Sequence, residues 1–206
     1  MLNIVRLPLI LLVLLPALAQ GAPSVVIVGD SISAGFGVPL EQQWPVIMED
    51  SLRQEFPELS VVAAAISGDT TSGGRSRLPA LLSEHAPDVL VIALGGNDAL
   101  RGTPLTVVET NLKAMAETAI AAGVRVVIAG MQIPPNYGPA YTSRFRAIYP
   151  AVAEQTGSDV IPFMLEGIAT VEGMMQEDGI HPTTAAQPRL AELVGEAVIR
   201  QLRAAQ

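Results

Sequence analysis

Cysteine is absent from all 206 residues. Its absence excludes disulfide staples, thiolate metal sites and a lipid anchor built on a cleavage-site thiol. With only two histidines present, a transition-metal site is not expected, and no cofactor is called for. Aromatic residues make up just 4% of the chain, so platforms for stacking sugars are scarce. Positive charge is also in short supply: twelve Lys and Arg stand against twenty Asp and Glu, for a net charge of −8, and no basic block occurs. Clustered positive charge is what neutralises phosphates and docks proteins on anionic bilayers. Nucleic acid and anionic membrane surfaces are therefore excluded as partners. No repeat, linker or charge run marks a second globular unit, and the length suits one domain with a substantial core.

What the chain has in abundance is aliphatic residues, and the first nineteen use them differently from the rest. After Arg6, the stretch from Leu7 to Leu18 is almost purely apolar, and Ala17-Leu18-Ala19 supplies the small residues that a signal peptidase accepts. This run is too short, and too interrupted by Pro8 and Pro16, to span a bilayer. A signal peptide over residues 1–19, cleaved near Ala19, is expected. Residues 20–206 then form the mature domain, periplasmic or secreted, without a stable membrane anchor, and expected to be a monomer.

Beyond the leader, short apolar runs alternate with helix-length amphipathic stretches. Strands are predicted at Ser24–Gly29, Ser60–Ala65, Asp88–Leu94, Val124–Gly130 and Asp159–Phe163. Their near-continuous hydrophobicity is that of strands buried on both faces. Helices are predicted near Trp44–Phe56, Arg75–His85, Pro104–Ala122, Ala140–Thr156 and Thr184–Arg203. Such alternation means an α/β fold: a five-stranded parallel sheet covered on both sides, with 2-1-3-4-5 as the expected strand order. In open sheets of this kind, ligands bind beyond the carboxyl ends of the strands.

The unusual residues fall in those loops. Gly29-Asp30-Ser31 follows the first strand and exposes a hydroxyl where the chain breaks toward a helix. It is neither the G-x-S-x-G elbow nor a Walker loop. Gly68 follows the second strand and can offer an unobstructed backbone N–H. Gly95-Gly96-Asn97-Asp98 follows the third, where the Asn97 amide can donate to a developing oxyanion. Asp178-Gly179-Ile180-His181 comes late, and its three-residue spacing lets the carboxylate meet Nδ1 and leaves Nε2 free to take a proton. Each element alone is ordinary turn or cap chemistry. Together, on one predicted edge, they are the parts of an acyl-transfer site. His85, at a helix end on the opposite edge, is expected to be solvated there.

These four blocks, in this order, resemble the SGNH (GDSL) hydrolase family. The strings ISGDT, SRLPALL (Ser76–Leu82), LGGND-ALRG, PPNYG (Pro134–Gly138) and AIYP (Ala147–Pro150) are similar to its bacterial branch of thioesterase I, lysophospholipase L1 and the arylesterases. The resemblance implies a flavodoxin-like three-layer sandwich and hydrolysis of small acyl esters or thioesters. It implies Ser31 as nucleophile, His181 as base and Asp178 as its orienter. The Ser31 and Gly68 N–H groups and the Asn97 amide would form the oxyanion hole. Met131–Gly138 resembles the family's mobile substrate-binding loop, so Ile133, Pro134, Pro135, Asn136 and Tyr137, with Asp30 and Ile180, are expected to contact substrate. One departure is Ala63, where many members carry Asn, which puts the support of the Gly68 loop in question. Two rivals remain: a carbohydrate acetylesterase on the same site, weakened by the scarcity of aromatics, and a nucleotide- or flavin-binding module. Against the second stand the missing Lys in the first loop and the absence of G-x-G-x-x-G.

Overall fold

The computed structural model describes residues 21–204. The expected leader lies outside the described residues. Five parallel strands form one sheet: β1 (Ser24–Gly29), β2 (Ser60–Ala65), β3 (Val89–Ala93), β4 (Arg125–Ala129) and β5 (Asp159–Ile161), in the order β2-β1-β3-β4-β5. Six α-helices accompany them: α1 (Trp44–Leu52), α2 (Thr71–His85), α3 (Gly96–Leu100), α4 (Leu105–Ala121), α5 (Pro139–Thr156) and α6 (Gln187–Arg203). Packing α1 and α6 on one face and α2, α4 and α5 on the other makes the three layers that the alternating pattern predicts.

Burial follows position in the sheet. The branched side chains Val25–Val28 and the whole of β3 are fully buried, because helices cover both faces of the inner strands. In contrast, β2 and β5 are edge strands, and most of their residues remain partly accessible although they read as buried in sequence. At Pro162, β5 ends sooner than predicted, since proline has no N–H for the ladder. The start of α2 is four residues earlier than Arg75, because its first-turn glycines are used rather than avoided. Thr70 caps it by accepting the Gly73 N–H, and a Cβ on Gly74 would collide with Leu94. The Gly95-Gly96-Asn97-Asp98 stretch, expected as a turn, winds into the short helix α3.

Two large side chains fasten the core to the site edge. Trp44 is fully buried, and its indole N–H donates to the Ile32 carbonyl at 3.1 Å, just beyond Ser31. Tyr149, from the AIYP string, is also fully buried and donates to the Leu94 carbonyl at 3.1 Å, at the end of β3. Each buried aromatic of this kind contributes about 3 kcal/mol or more if truncated to Ala.

Candidate active site

Three strand ends and one late turn build the site. At Gly29, where β1 runs out, a Cβ would collide with the Ser33 hydroxymethyl group. The chain then turns at once, with the Ala34 N–H donating to the Asp30 carbonyl and the Phe36 N–H to the Ser31 carbonyl, at 2.9 and 3.0 Å. This leaves the half-buried Ser31 at the carboxyl rim of the sheet.

The late turn closes on itself. Thr183 N–H donates to the Met174 carbonyl and Gln176 N–H to the His181 carbonyl, both at 2.8 Å. Inside it, Asp178 Oδ1 accepts from the Ile180 and His181 N–H groups at 2.8 and 3.0 Å. Its Oδ2 lies 2.6 Å from His181 Nδ1, and His181 Nε2 lies 2.8 Å from Ser31 Oγ. The His181 ring, with help from the His181 and Ile180 N–H groups, lowers the Asp178 pKa from 3.8 to about 2. An ionised carboxylate only accepts, so Nδ1 carries the proton and Nε2 faces the hydroxyl as an acceptor. Over the imidazole lies the ring of Phe36, with centroids 4.5 Å apart and planes tilted by 35°.

Opposite this chain of contacts sit Gly68 and Asn97. Gly68 has φ +80°, a conformation that a side-chain-bearing residue adopts only with strain. Asn97, in the first turn of α3, donates through Nδ2 to Asp30 Oδ2 at 3.1 Å and to the Asp69 carbonyl at 2.9 Å. Asp30 itself is 2% exposed, and burial pushes its pKa up to about 6 despite the Ile32 N–H, His181 and Asn97 contacts that oppose the rise. The Gly68 loop is held by Arg77, which meets Asp69 at 2.9 Å and donates to the carbonyls of Ala64 and Gly29 at 2.6 and 3.2 Å. Ala63 lies within β2 opposite Ile27, so the side chain present there takes no part in that support. Asp98 is buried and accepts from the Thr71 N–H and hydroxyl at 2.8 and 2.7 Å, locking the start of α2 to α3.

A cavity of about 680 Å³ opens beside Ser31 and His181. Much of its wall is apolar, with Leu100, Met131, Ile133, Phe163, Met164 and Leu165 among the lining residues. A serine hydroxyl in contact with an imidazole at the mouth of an apolar cavity is an arrangement that suits acyl substrates.

The family model of the GDSL-like Lipase/Acylhydrolase family matches residues 27–188. The chain belongs to the GDSL-like Lipase/Acylhydrolase family. It is 50% identical over 173 residues to "Esterase TesA" of Pseudomonas aeruginosa, covering 84% of this chain and 86% of that protein. It is 39% identical over 187 residues to "Thioesterase 1/protease 1/lysophospholipase L1" of Escherichia coli K12, covering 91% and 88%. A crystal structure of TesA matches it with a TM-score of 0.83 at 48% identity, over 86% of this chain and 99% of its own.

For a GDSL-like acylhydrolase, most of the predicted site residues converge. Asp30, Ser31, Gly68, Asn97 and His181 border the cavity, as do Ile133, Pro134, Pro135 and Ile180. Asp178 stands behind His181. Two predicted contacts lie elsewhere: Asn136 and Tyr137 sit in a 3-10 turn, Pro135–Tyr137, outside the cavity wall, and Tyr137 is 41% exposed. Gly138, at φ +91°, follows this turn and leads into α5. Asp30 is held by Ile32 and Asn97, so it supports the rim from below. His85 ends α2 at the opposite edge, 4.0 Å from Glu84. Among the described residues, no group of three or more His, Cys, Asp or Glu has the arrangement of a metal site. The roles of Phe36, Arg77, Thr71 and Gln176 escaped sequence reasoning. Arg77 lies inside the SRLPALL string, two residues after Arg75 in α2, and nothing in that spacing singles it out.

Proposed function

We propose that this ester hydrolase works by two-step acyl transfer, with Ser31 as nucleophile, His181 as general base and Asp178 as the group that orients it. Ser31 Oγ attacks the carbonyl carbon while its proton passes to His181 Nε2. The Ser31 and Gly68 N–H groups and the Asn97 amide hold the oxyanion, a contribution of about 3–4 kcal/mol for one such donor in other hydrolases. The tetrahedral species collapses as the leaving alcohol or thiol takes the proton from His181. Water, deprotonated by the same imidazole, then attacks the acyl-enzyme, and the bond to Ser31 Oγ breaks as His181 returns the proton to it, releasing the acid.

One observation carries this reading: the unbroken sequence of contacts from Asp178 through His181 to Ser31, at 2.6 and 2.8 Å, on the mouth of an apolar cavity. Aryl esters, acyl thioesters and lysophospholipids are the proposed substrates, supported by the apolar wall and by the names of the relatives. The apolar run before Ala19 supports export to the periplasm or medium, and no helix among the described residues is long and apolar enough to cross a membrane. The mature chain is proposed to act as a monomer on small-molecule acyl esters or thioesters.

A fluorophosphonate ester tests the mechanism. Stoichiometric labelling of Ser31, abolished by Ser31→Ala, is expected; a folded parent protein that resists labelling overturns it. Rates on p-nitrophenyl esters from acetate to palmitate, beside acyl-CoA, lysophosphatidylcholine and acetyl-xylan, resolve the substrate class.

A further inference from the structure

The nucleophile and its base come from segments 150 residues apart in sequence. Serine at residue 31 belongs to the loop after β1, and histidine at residue 181 to a self-closed turn before α6. A proton relay between them works only if the two loops keep their separation to a fraction of an ångström. Among the described residues, one hydrogen bond besides the Ser31–His181 contact joins these two loops directly. It runs from Gln176 Nε2 to the Phe36 carbonyl, at 2.8 Å.

The second N–H of the same amide donates to the Pro182 carbonyl at 3.0 Å, next to the base. The Gln176 backbone N–H donates to the His181 carbonyl at 2.8 Å, and the Phe36 N–H donates to the Ser31 carbonyl at 3.0 Å. The contacts therefore close a ring: Ser31 to Phe36, Phe36 to Gln176, Gln176 to His181, and His181 back to Ser31. Gly37 leaves room for the amide, since a Cβ there would stand 3.0 Å from Gln176 Oε1. The bonded Phe36 also carries the ring that lies over the imidazole, so its backbone anchor fixes one wall of the base.

We infer that Gln176 is a positioning residue, whose side-chain amide clamps the nucleophile loop to the base turn and sets the Ser31–His181 distance. This rests on the proposed roles of Ser31 and His181. Gln176 touches no reacting atom, and it sits half-exposed on a turn, outside the buried core.

Gln176→Met tests the clamp, because it keeps the side-chain length and removes both N–H donors. On p-nitrophenyl butyrate, kcat is expected to fall roughly ten- to a hundredfold with KM within about twofold, as a small misplacement of reacting groups does. Fluorophosphonate labelling of Ser31 should slow by a similar factor. The pH at half-maximal kcat/KM should stay where it is, since Asp178 still holds Nδ1. Gln176→Asn, which keeps an amide but withdraws it by one methylene, should show the same split and serves if the Met variant fails to fold. Folded variants that turn over and label at the parent rate overturn the clamp. The proposed roles of Ser31 and His181 fail separately, through a parent protein that does not label or a Ser31→Ala variant that stays active.

Discussion

Asn97 donates one amide N–H to the carboxylate of Asp30 and the other to the backbone carbonyl of Asp69, at 3.1 and 2.9 Å. Both donors of the side chain are thus engaged before any substrate arrives. An oxyanion forming nearby must share or displace one of these acceptors, and the carbonyl oxygen of a bound ester is a weaker competitor than a developing alkoxide. The amide is therefore expected to act mainly in the transition state. Asn97→Ala should lower kcat by about 10²–10³ and leave KM nearly unchanged. Steady-state kinetics on a short aryl ester decides the matter: a rise in KM at constant kcat would place Asn97 in substrate binding instead.

Asp178 holds its proton-acceptor role far into the acid range. With its pKa lowered to about 2, the carboxylate is ionised at any pH well above 2, so its own titration is not expected to shape a pH–rate profile near neutrality. Asp178→Asn should lower kcat by about 10⁴, by analogy with an Asp-to-Asn change in another triad, because the amide can donate to Nδ1 and so favours the wrong tautomer. A loss of less than tenfold would show that the His181 ring is oriented by its other neighbours, Phe36 above all.

The sheet was legible in the sequence because apolar runs of four to six residues between glycine-marked turns leave little choice of element, and the site because three strand ends converge on one rim. Edge position was not legible in composition: β2 is as apolar as β1, and only the strand order, expected and found as 2-1-3-4-5, decides which one has a bare side. Asn136 and Tyr137 were assigned to the substrate surface by membership in a loop, and loop membership alone does not tell which of its residues border the cavity: the 3-10 turn Pro135–Tyr137 leaves these two outside its wall. Gln176 was invisible for a different reason. Its partner Phe36 lies 140 residues away, and a glutamine in a polar turn carries no periodicity that reports such a contact.

Asp30 makes stability depend on pH in the opposite sense to Asp178. Burial raises its pKa from 3.8 to about 6. Well below 3.8, Asp30 is protonated in both states and burial carries no ionisation penalty. Between the two values the unfolded chain releases a proton that the fold retains, so stability falls as pH rises. Above about 6 the full penalty stands, a difference on the order of 3 kcal/mol for two pKa units. Urea unfolding across pH 4 to 7 should show the parent losing roughly that amount relative to Asp30→Asn. Parallel curves for the two proteins would mean that the buried carboxyl is compensated by its hydrogen bonds.

Gly95 and Tyr149 should prove coupled. Gly95 has φ +120°, and a Cβ there would collide with the Tyr149 hydroxyl, which is itself bonded to the Leu94 carbonyl. Gly95→Ala meets two separate costs, backbone strain of about 1–3 kcal/mol and the steric clash. Tyr149→Phe alone loses a buried hydrogen bond worth about 1 kcal/mol. In the double variant the space vacated by the hydroxyl receives the new methyl group, so only the strain and the lost bond remain. A double-mutant cycle in urea should therefore return a favourable coupling of about 1 kcal/mol or more. Additive losses would show that the β3 end yields freely, and then Gly95→Ala should also displace Asn97 and depress kcat more than it depresses stability.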